Sequence, residues 1–256
     1  MTHCTRRGWG LGALGFSAWL LGLGQAAAQT PVSRAGATPA RILVVGDSLS
    51  AEYGIARGTG WVALLEQRLR SQRISAEVIN GSISGETTAG GLSRLPALLS
   101  THQPSHVIIE LGGNDALRGW SLKTTEANLT GMAELAQKRG AQVLLVGMQL
   151  PPNYGRRYAA DFANTFQKVA QATSVPLVPF LLQGVADRAD ARDWFQSDGI
   201  HPLAKAHPVM LDNIWPALSA QLRPAKRRRV AYPTVGFHRS PRQTATVQSS
   251  LARGVK

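Results

Sequence analysis

Cysteine is almost absent. The chain has one, Cys4, and it lies in a leader expected to be removed. The mature chain then has no disulfide, no thiol nucleophile and no cysteine metal ligand, so its core must hold it together. A long apolar run is also missing. The best stretch, Gly8 to Gly24, is too short and too rich in glycine to span a bilayer comfortably. Acid is scarce, with 15 Asp and Glu against 28 Lys and Arg and a formal charge of +13. That imbalance is local. Residues 224–256 carry eight cations and no acid, whereas residues 29–223 hold 18 cations against all 15 acids, a net of +3. The strong basicity belongs to the ends and says little about the body between them. No internal repeat is present. There is no G-x-S-x-G elbow either, since Gly81 to Gly85 has Ile83 at its centre, which argues against an α/β-hydrolase layout.

The N-terminus reads as a targeting segment. Arg6 and Arg7, the apolar run after them and Gln25-Ala26-Ala27-Ala28-Gln29 are the basic, hydrophobic and small-residue parts of an export signal, with cleavage after Ala28. Gly10-Leu11-Gly12-Ala13-Leu14-Gly15 matches a dinucleotide-binding fingerprint, but no strand precedes it and no βαβ unit surrounds it. The expected organisation is a signal peptide at 1–28, a linker at 29–40, one domain at 41–223 and a basic, disordered tail at 224–256. The expected location is the periplasm or the medium, and the expected state is monomeric. Nucleic acid is not an expected partner; a weak contact of the tail with an acidic membrane is.

From Arg41 onward, short apolar runs alternate with helical patterns. The runs are Ile42–Val45, Glu77–Ile79, Val107–Leu111, Val143–Met148 and Val175–Phe180. Most are continuous Val/Ile/Leu stretches, as in strands covered on both faces. Between them, Trp61–Gln72, Thr88–Ser100, Thr125–Arg139 and Tyr158–Thr173 read as helices, with a last one over Leu203–Leu222. Such alternation implies right-handed crossovers and a parallel sheet between two helical layers. The fold class expected is an α/β/α sandwich with a flavodoxin-like, five-stranded parallel sheet of order 2-1-3-4-5.

The polar motifs fall where the first three strands end. They are Gly46-Asp47-Ser48, then Asn80-Gly81-Ser82-Ile83-Ser84-Gly85-Glu86, then Gly112-Gly113-Asn114-Asp115. Parallel strands bring all three to one sheet edge. Acyl transfer needs a nucleophile, a base, an acid to orient the base, and donors for an oxyanion. Ser48 is the candidate nucleophile, His201 the base and Asp198 the orienting acid. Ser48 and Gly85 through their backbone N–H groups, and Asn114 through its amide, are the candidate oxyanion hole. Pro152, Asn153 and Tyr154, after the fourth strand, are candidate substrate contacts. His102 and His106 are four apart, but Pro104 between them spoils a helical metal pair.

Gly46-Asp47-Ser48-Leu49-Ser50, Gly85, Gly112-Gly113-Asn114-Asp115 and Asp198-x-x-His201 resemble the ordered blocks of the SGNH (GDSL) hydrolase family. Ser82–Thr87, Arg94–Leu99 and Pro152–Tyr158 are similar to its periplasmic acyl-CoA thioesterase I/lysophospholipase and arylesterase branch. The resemblance covers roughly Arg41 to Leu222. It implies a three-layer fold, a Ser-His-Asp triad on Ser48, His201 and Asp198, and no metal or organic cofactor. It also implies a serine esterase acting on aryl, alkyl or lysophospholipid esters and on acyl thioesters. A carbohydrate O-acetylesterase on the same scaffold is the alternative. A non-catalytic surface-binding protein that works through its tail is the alternative from another class. The basic tail is a departure that the family does not require.

Overall fold

Five Val/Ile/Leu-rich segments become strands, and the computed structural model, which describes residues 38–223, joins them in one parallel sheet. They are β1 (Ala40–Gly46), β2 (Ala76–Asn80), β3 (His106–Glu110), β4 (Gln142–Val146) and β5 (Leu177–Val178), in the order β2-β1-β3-β4-β5. The order matches the expected one. The leader, most of the linker and the tail lie outside the described residues. Within them, Ala40, which the sequence reading puts in the linker, already belongs to β1.

Burial explains the strand pattern. Ile42–Val45 and Val107–Ile109 are fully shielded, which requires cover on both faces of the sheet. That cover comes from α1 (Trp61–Ser71) and α6 (His207–Leu222), which pack together, and from α2 (Thr88–His102), α4 (Leu122–Lys138) and α5 (Arg156–Thr173). Trp61, Leu65 and Leu69 form the inward stripe of α1. Phe162 and Phe166 of α5 meet edge to face, with ring centroids 5.2 Å apart. Among the described residues, no helix is long and apolar enough to cross a membrane.

The boundaries that moved did so for local reasons. β5 is two residues long rather than six because Pro176 and Pro179 flank it and neither has an N–H for the ladder. α4 starts at Leu122, ahead of the expected Thr125, because Ser121 caps it and accepts the Thr124 N–H. α6 starts at His207 after a short 3₁₀ turn (Ala204–Ala206), with Pro208 in the first turn, where a missing N–H costs nothing. Gly113–Leu117 forms a one-turn helix, α3, where the sequence suggested only a loop.

Gly147 sits where β4 leaves the sheet and passes the segment after β5. Its N–H donates to the Val178 carbonyl at 2.7 Å, and its carbonyl accepts the Leu181 N–H at 3.0 Å. A Cβ there would lie 2.5 Å from the Pro179 carbonyl oxygen, a backbone atom that cannot swing aside. Gly147→Ala should therefore lower the unfolding free energy by about 1–3 kcal/mol. The check is a urea titration, and an unchanged midpoint would contradict so close a packing of the two segments.

Candidate active site

The turn after β1 is built around a glycine and two buried acids. A Cβ on Gly46 would come within 2.6 Å of Ser50 Oγ and 2.8 Å of Glu110 Oε2, so no side chain fits there. Asp47 Oδ1 accepts the Leu49 N–H at 3.0 Å, and the Asp47 carbonyl accepts the Ser50 and Ala51 N–H groups at 3.2 and 3.0 Å. This folds the backbone sharply and lifts Ser48 to a half-buried position at the sheet edge, while Asp47 and Leu49 point inward.

His201 arrives from the far end of the chain on a narrow loop. Phe195 and Pro202 form an isolated antiparallel bridge, Gln196 N–H donates to the His201 carbonyl at 2.8 Å, and Leu203 N–H donates to the Trp194 carbonyl at 2.8 Å. Gly199, at φ +67°, turns the tip. Ser48 Oγ lies 2.9 Å from His201 Nε2, and His201 Nδ1 lies 2.7 Å from Asp198 Oδ2. A carboxylate only accepts, so Nδ1 carries the proton and Nε2 offers its lone pair to the Ser48 hydroxyl. Asp198 Oδ1 also accepts the Ile200 and His201 N–H groups, at 2.9 and 3.0 Å. Partial desolvation pulls the Asp198 carboxyl upward, but the His201 N–H, the imidazole and the Ile200 N–H outweigh it and hold the pKa at about 2. The Tyr53 ring packs against the imidazole, with centroids 4.4 Å apart.

Asn114 lies in α3, directly after β3, and its Nδ2 donates to Asp47 Oδ2 at 3.1 Å. An ionised Asp47 can only accept, so it fixes which end of the amide faces the Ser48 turn. Gly85 is exposed at φ +80° on the loop after β2. That loop is tied down at several points. Ile83 N–H donates to the Gly46 carbonyl at 3.1 Å, and Arg118 Nη2 donates to the Gly85 carbonyl at 3.3 Å. Arg94 bridges its two ends, through Nη1 to the Gly81 carbonyl at 2.5 Å and through Nε to Glu86 at 2.6 Å. Ser48, His201 and Asp198 thus meet directly, with Asn114 one hydrogen bond away through Asp47. Pro152, Asn153 and Tyr154 form a 3₁₀ turn after β4, and no hydrogen bond joins Asn153 or Tyr154 to Ser48 or His201. A cavity of about 500 Å³ lined by Glu52, Arg57, Asn80 and Ser82 opens beside the Ser48 turn, but neither Ser48 nor His201 lines it.

Sequence reasoning missed the buried acids and Tyr53. Glu110 ends a fully buried strand, an anomaly visible in the sequence as an acid closing a Val-Ile-Ile run. It accepts from Ser50 Oγ at 2.7 Å and from the Asp47 N–H at 3.4 Å. Burial, reinforced by the neighbouring Asp47, pushes its pKa well above the carboxylate range. Burial also raises Asp47 to about 6, against the hydrogen bond from Leu49 and the attraction of His201. Tyr53 sits in a Glu-Tyr-Gly turn that carries no signal for an imidazole neighbour.

The profile of the GDSL-like Lipase/Acylhydrolase family matches residues 44–209. The chain is 48% identical over 198 residues to Esterase TesA of Pseudomonas aeruginosa, covering 77% of this chain and 92% of that one. It is 43% identical over 183 residues to Thioesterase 1/protease 1/lysophospholipase L1 of Escherichia coli K12, covering 72% and 83%. The crystal structure of the psychrotrophic esterase EstA from Pseudoalteromonas sp., inhibited by monoethylphosphonate, superposes with a TM-score of 0.67. It is 38% identical and is matched over 72% of this chain and 99% of its own. A parallel α/β sheet carrying a serine, an imidazole and a carboxylate in line at its edge defines a class, the serine hydrolases. Within that class, this chain belongs to the GDSL-like Lipase/Acylhydrolase family.

The raised Glu110 pKa has a consequence for stability. The folded state keeps a proton on Glu110 that the unfolded chain releases above its ordinary carboxylate pKa, so the native state loses stability as pH rises through that window. Glu110→Gln removes this titration. The melting temperature of the variant relative to the parent should therefore climb as the pH rises above the ordinary carboxylate pKa. Parallel curves would mean that Glu110 is ionised in the folded protein.

Proposed function

We propose that this protein is an exported serine esterase that hydrolyses carboxylic esters, and acyl thioesters, through an acyl-enzyme on Ser48. The observation that carries the reading is the 2.9 Å contact of Ser48 Oγ with His201 Nε2, with Asp198 behind the ring. His201 Nε2 takes the hydroxyl proton as Ser48 Oγ bonds to the carbonyl carbon, and Asp198 stabilises the imidazolium. The oxyanion accepts from the Ser48 and Gly85 N–H groups and from Asn114 Nδ2. Collapse breaks the bond to the leaving oxygen or sulfur, which takes the proton from His201. Water, deprotonated by the same nitrogen, then releases the acid and regenerates Ser48.

Apolar side chains around the site support an acyl or aryl substrate. Among the described residues, the exposed large hydrophobics are Tyr53, Ile83, Trp120, Tyr154 and Ile200. Tyr53 follows β1, Ile83 follows β2, Trp120 follows β3 and α3, Tyr154 follows β4, and Ile200 adjoins His201. Each stands on a loop at the carboxyl edge of the sheet. The relatives named as an esterase and as a thioesterase and lysophospholipase support the same substrate range. We place Pro152, Asn153 and Tyr154 among the acyl contacts on this ground. The pattern of Arg6, Arg7, the apolar run and Ala28 supports export to the periplasm or medium. The cations of residues 224–256 support weak contact with an anionic membrane, apart from the chemistry.

Ser48→Ala and His201→Ala should each abolish turnover of p-nitrophenyl esters while leaving the circular dichroism spectrum and melting temperature near the parent's. Full activity in either variant refutes the mechanism. Asn114→Ala should lower kcat by about 100- to 1,000-fold, the loss typical of one oxyanion donor, with KM little changed. A change confined to KM would move Asn114 from the oxyanion to ground-state binding.

A further inference from the structure

Ser48 and His201 are 153 residues apart in sequence, and no strand pairing sets their separation. On the solvent side the two loops are joined by the Tyr53 ring on the imidazole and by Gln196 Nε2, which donates to the Tyr53 carbonyl at 2.9 Å. These side chains are exposed or half-buried and can fluctuate. The interior holds a second connection that the mechanism does not use. His207, buried to 2% exposure at the start of α6, accepts the backbone N–H of Trp61 on Nδ1 at 3.0 Å. His207 also follows the histidine loop closely, through the Ala204–Ala206 turn, in which the Ala206 N–H donates to the Leu203 carbonyl at 2.9 Å. On the other side, the fully buried Trp61 indole donates from Nε1 to Ser50 Oγ at 3.2 Å, and Ser50 Oγ donates to Glu110, which also accepts the Asp47 N–H.

We infer that Trp61 and His207 are positioning residues: together they form a buried strut that sets the distance between the nucleophile turn and the histidine loop. The inference rests on the reading of Ser48 and His201 as nucleophile and base. The strut has the properties the task demands. Each member is rigid and shielded from water, and each bond ends on backbone or on a group that itself contacts the Ser48 turn. Accepting the Trp61 N–H requires a bare Nδ1, so the ring must be neutral. Burial keeps it so, pushing its pKa down to about 4 despite the opposing pull of Glu52 and the Pro202 carbonyl. His207 also replaces a side-chain cap on α1, whose N-cap residue is Gly60 and supplies none. A helix cap alone would need only the bond to Trp61. The indole bond to Ser50 Oγ and the tight turn between His201 and His207 extend that cap to both loops.

The test separates positioning from mere stability. In the full-length protein, His207→Leu removes the acceptor of the Trp61 N–H at similar volume. His207→Gln keeps an amide oxygen to accept the Trp61 N–H, and Trp61→Phe deletes only the indole donor to Ser50. For folded His207→Leu, kcat on a p-nitrophenyl ester should fall by about 10- to 100-fold with KM little changed, the loss expected from a misplaced catalytic group. The rate of Ser48 labelling by a fluorophosphonate should fall with it, and His207→Gln should restore most of both. Parental kcat in His207→Leu, or a glutamine variant as impaired as the leucine one, overturns the strut. If His207→Leu does not fold, Trp61→Phe decides: a lower kcat at unchanged KM supports the inference, and parental kcat contradicts it. A parent without esterase turnover would instead remove the serine-hydrolase reading, and the strut with it.

Discussion

A hydroxyl near the start of the domain and an imidazole near its end must meet within one hydrogen bond, and the architecture is organised around that demand. A parallel sheet is well suited to it, because every strand delivers its following loop to the same edge. β1 lies between β2 and β3, so the serine turn is flanked by the glycine loop on one side and by α3 with Asn114 on the other. The core supplies the rigidity. Ile42–Val45 and Val107–Ile109, fully shielded from solvent, leave the strands little freedom to slide. What the sheet does not hold is the histidine loop, which is tied to the Ser48 turn by side chains.

Electrostatics divides labour among the acids. Asp198 is exposed and is held ionised by two backbone N–H groups and the imidazole, so it can orient and stabilise a cation. Asp47 and Glu110 lie beneath Ser48, where burial raises the pKa of both. Two adjacent buried carboxyls are unfavourable for folding, and they are kept where they organise the turn. Glu110 receives the Ser50 hydroxyl and Asp47 receives the Asn114 amide. The same residue type thus serves as a charge at the surface and as a hydrogen-bonded brace inside.

Strand order and the meeting of Ser48, His201 and Asp198 were legible in the sequence because each leaves a local mark. Continuous Val/Ile/Leu runs indicate buried parallel strands, and Gly-Asp-Ser, Gly-Gly-Asn-Asp and Asp-x-x-His each end or follow an element. The boundaries at β5 and α4 depended on Pro176, Pro179 and Ser121, residues whose effect is clear once the ends are known. α3 escaped because its one turn, Gly113–Leu117, is too short for periodicity. Glu110 was readable as an anomaly but not as a partner of Asp47, since that contact crosses 63 residues. His207 left no mark at all: a histidine before a proline looks like any helix entry, and only the packing of α1 on α6 gives it a role.

The central claim is that the attacking oxygen belongs to Ser48, and it is open to direct observation. Rapid quenching of the enzyme during turnover of a slowly deacylating p-nitrophenyl ester, followed by digestion and mass spectrometry, locates any covalent intermediate. The account predicts one acyl group per chain on the peptide containing Gly46-Asp47-Ser48, formed in step with an initial burst of p-nitrophenol. An acyl group on another residue, or steady turnover with no burst and no adduct, would contradict it.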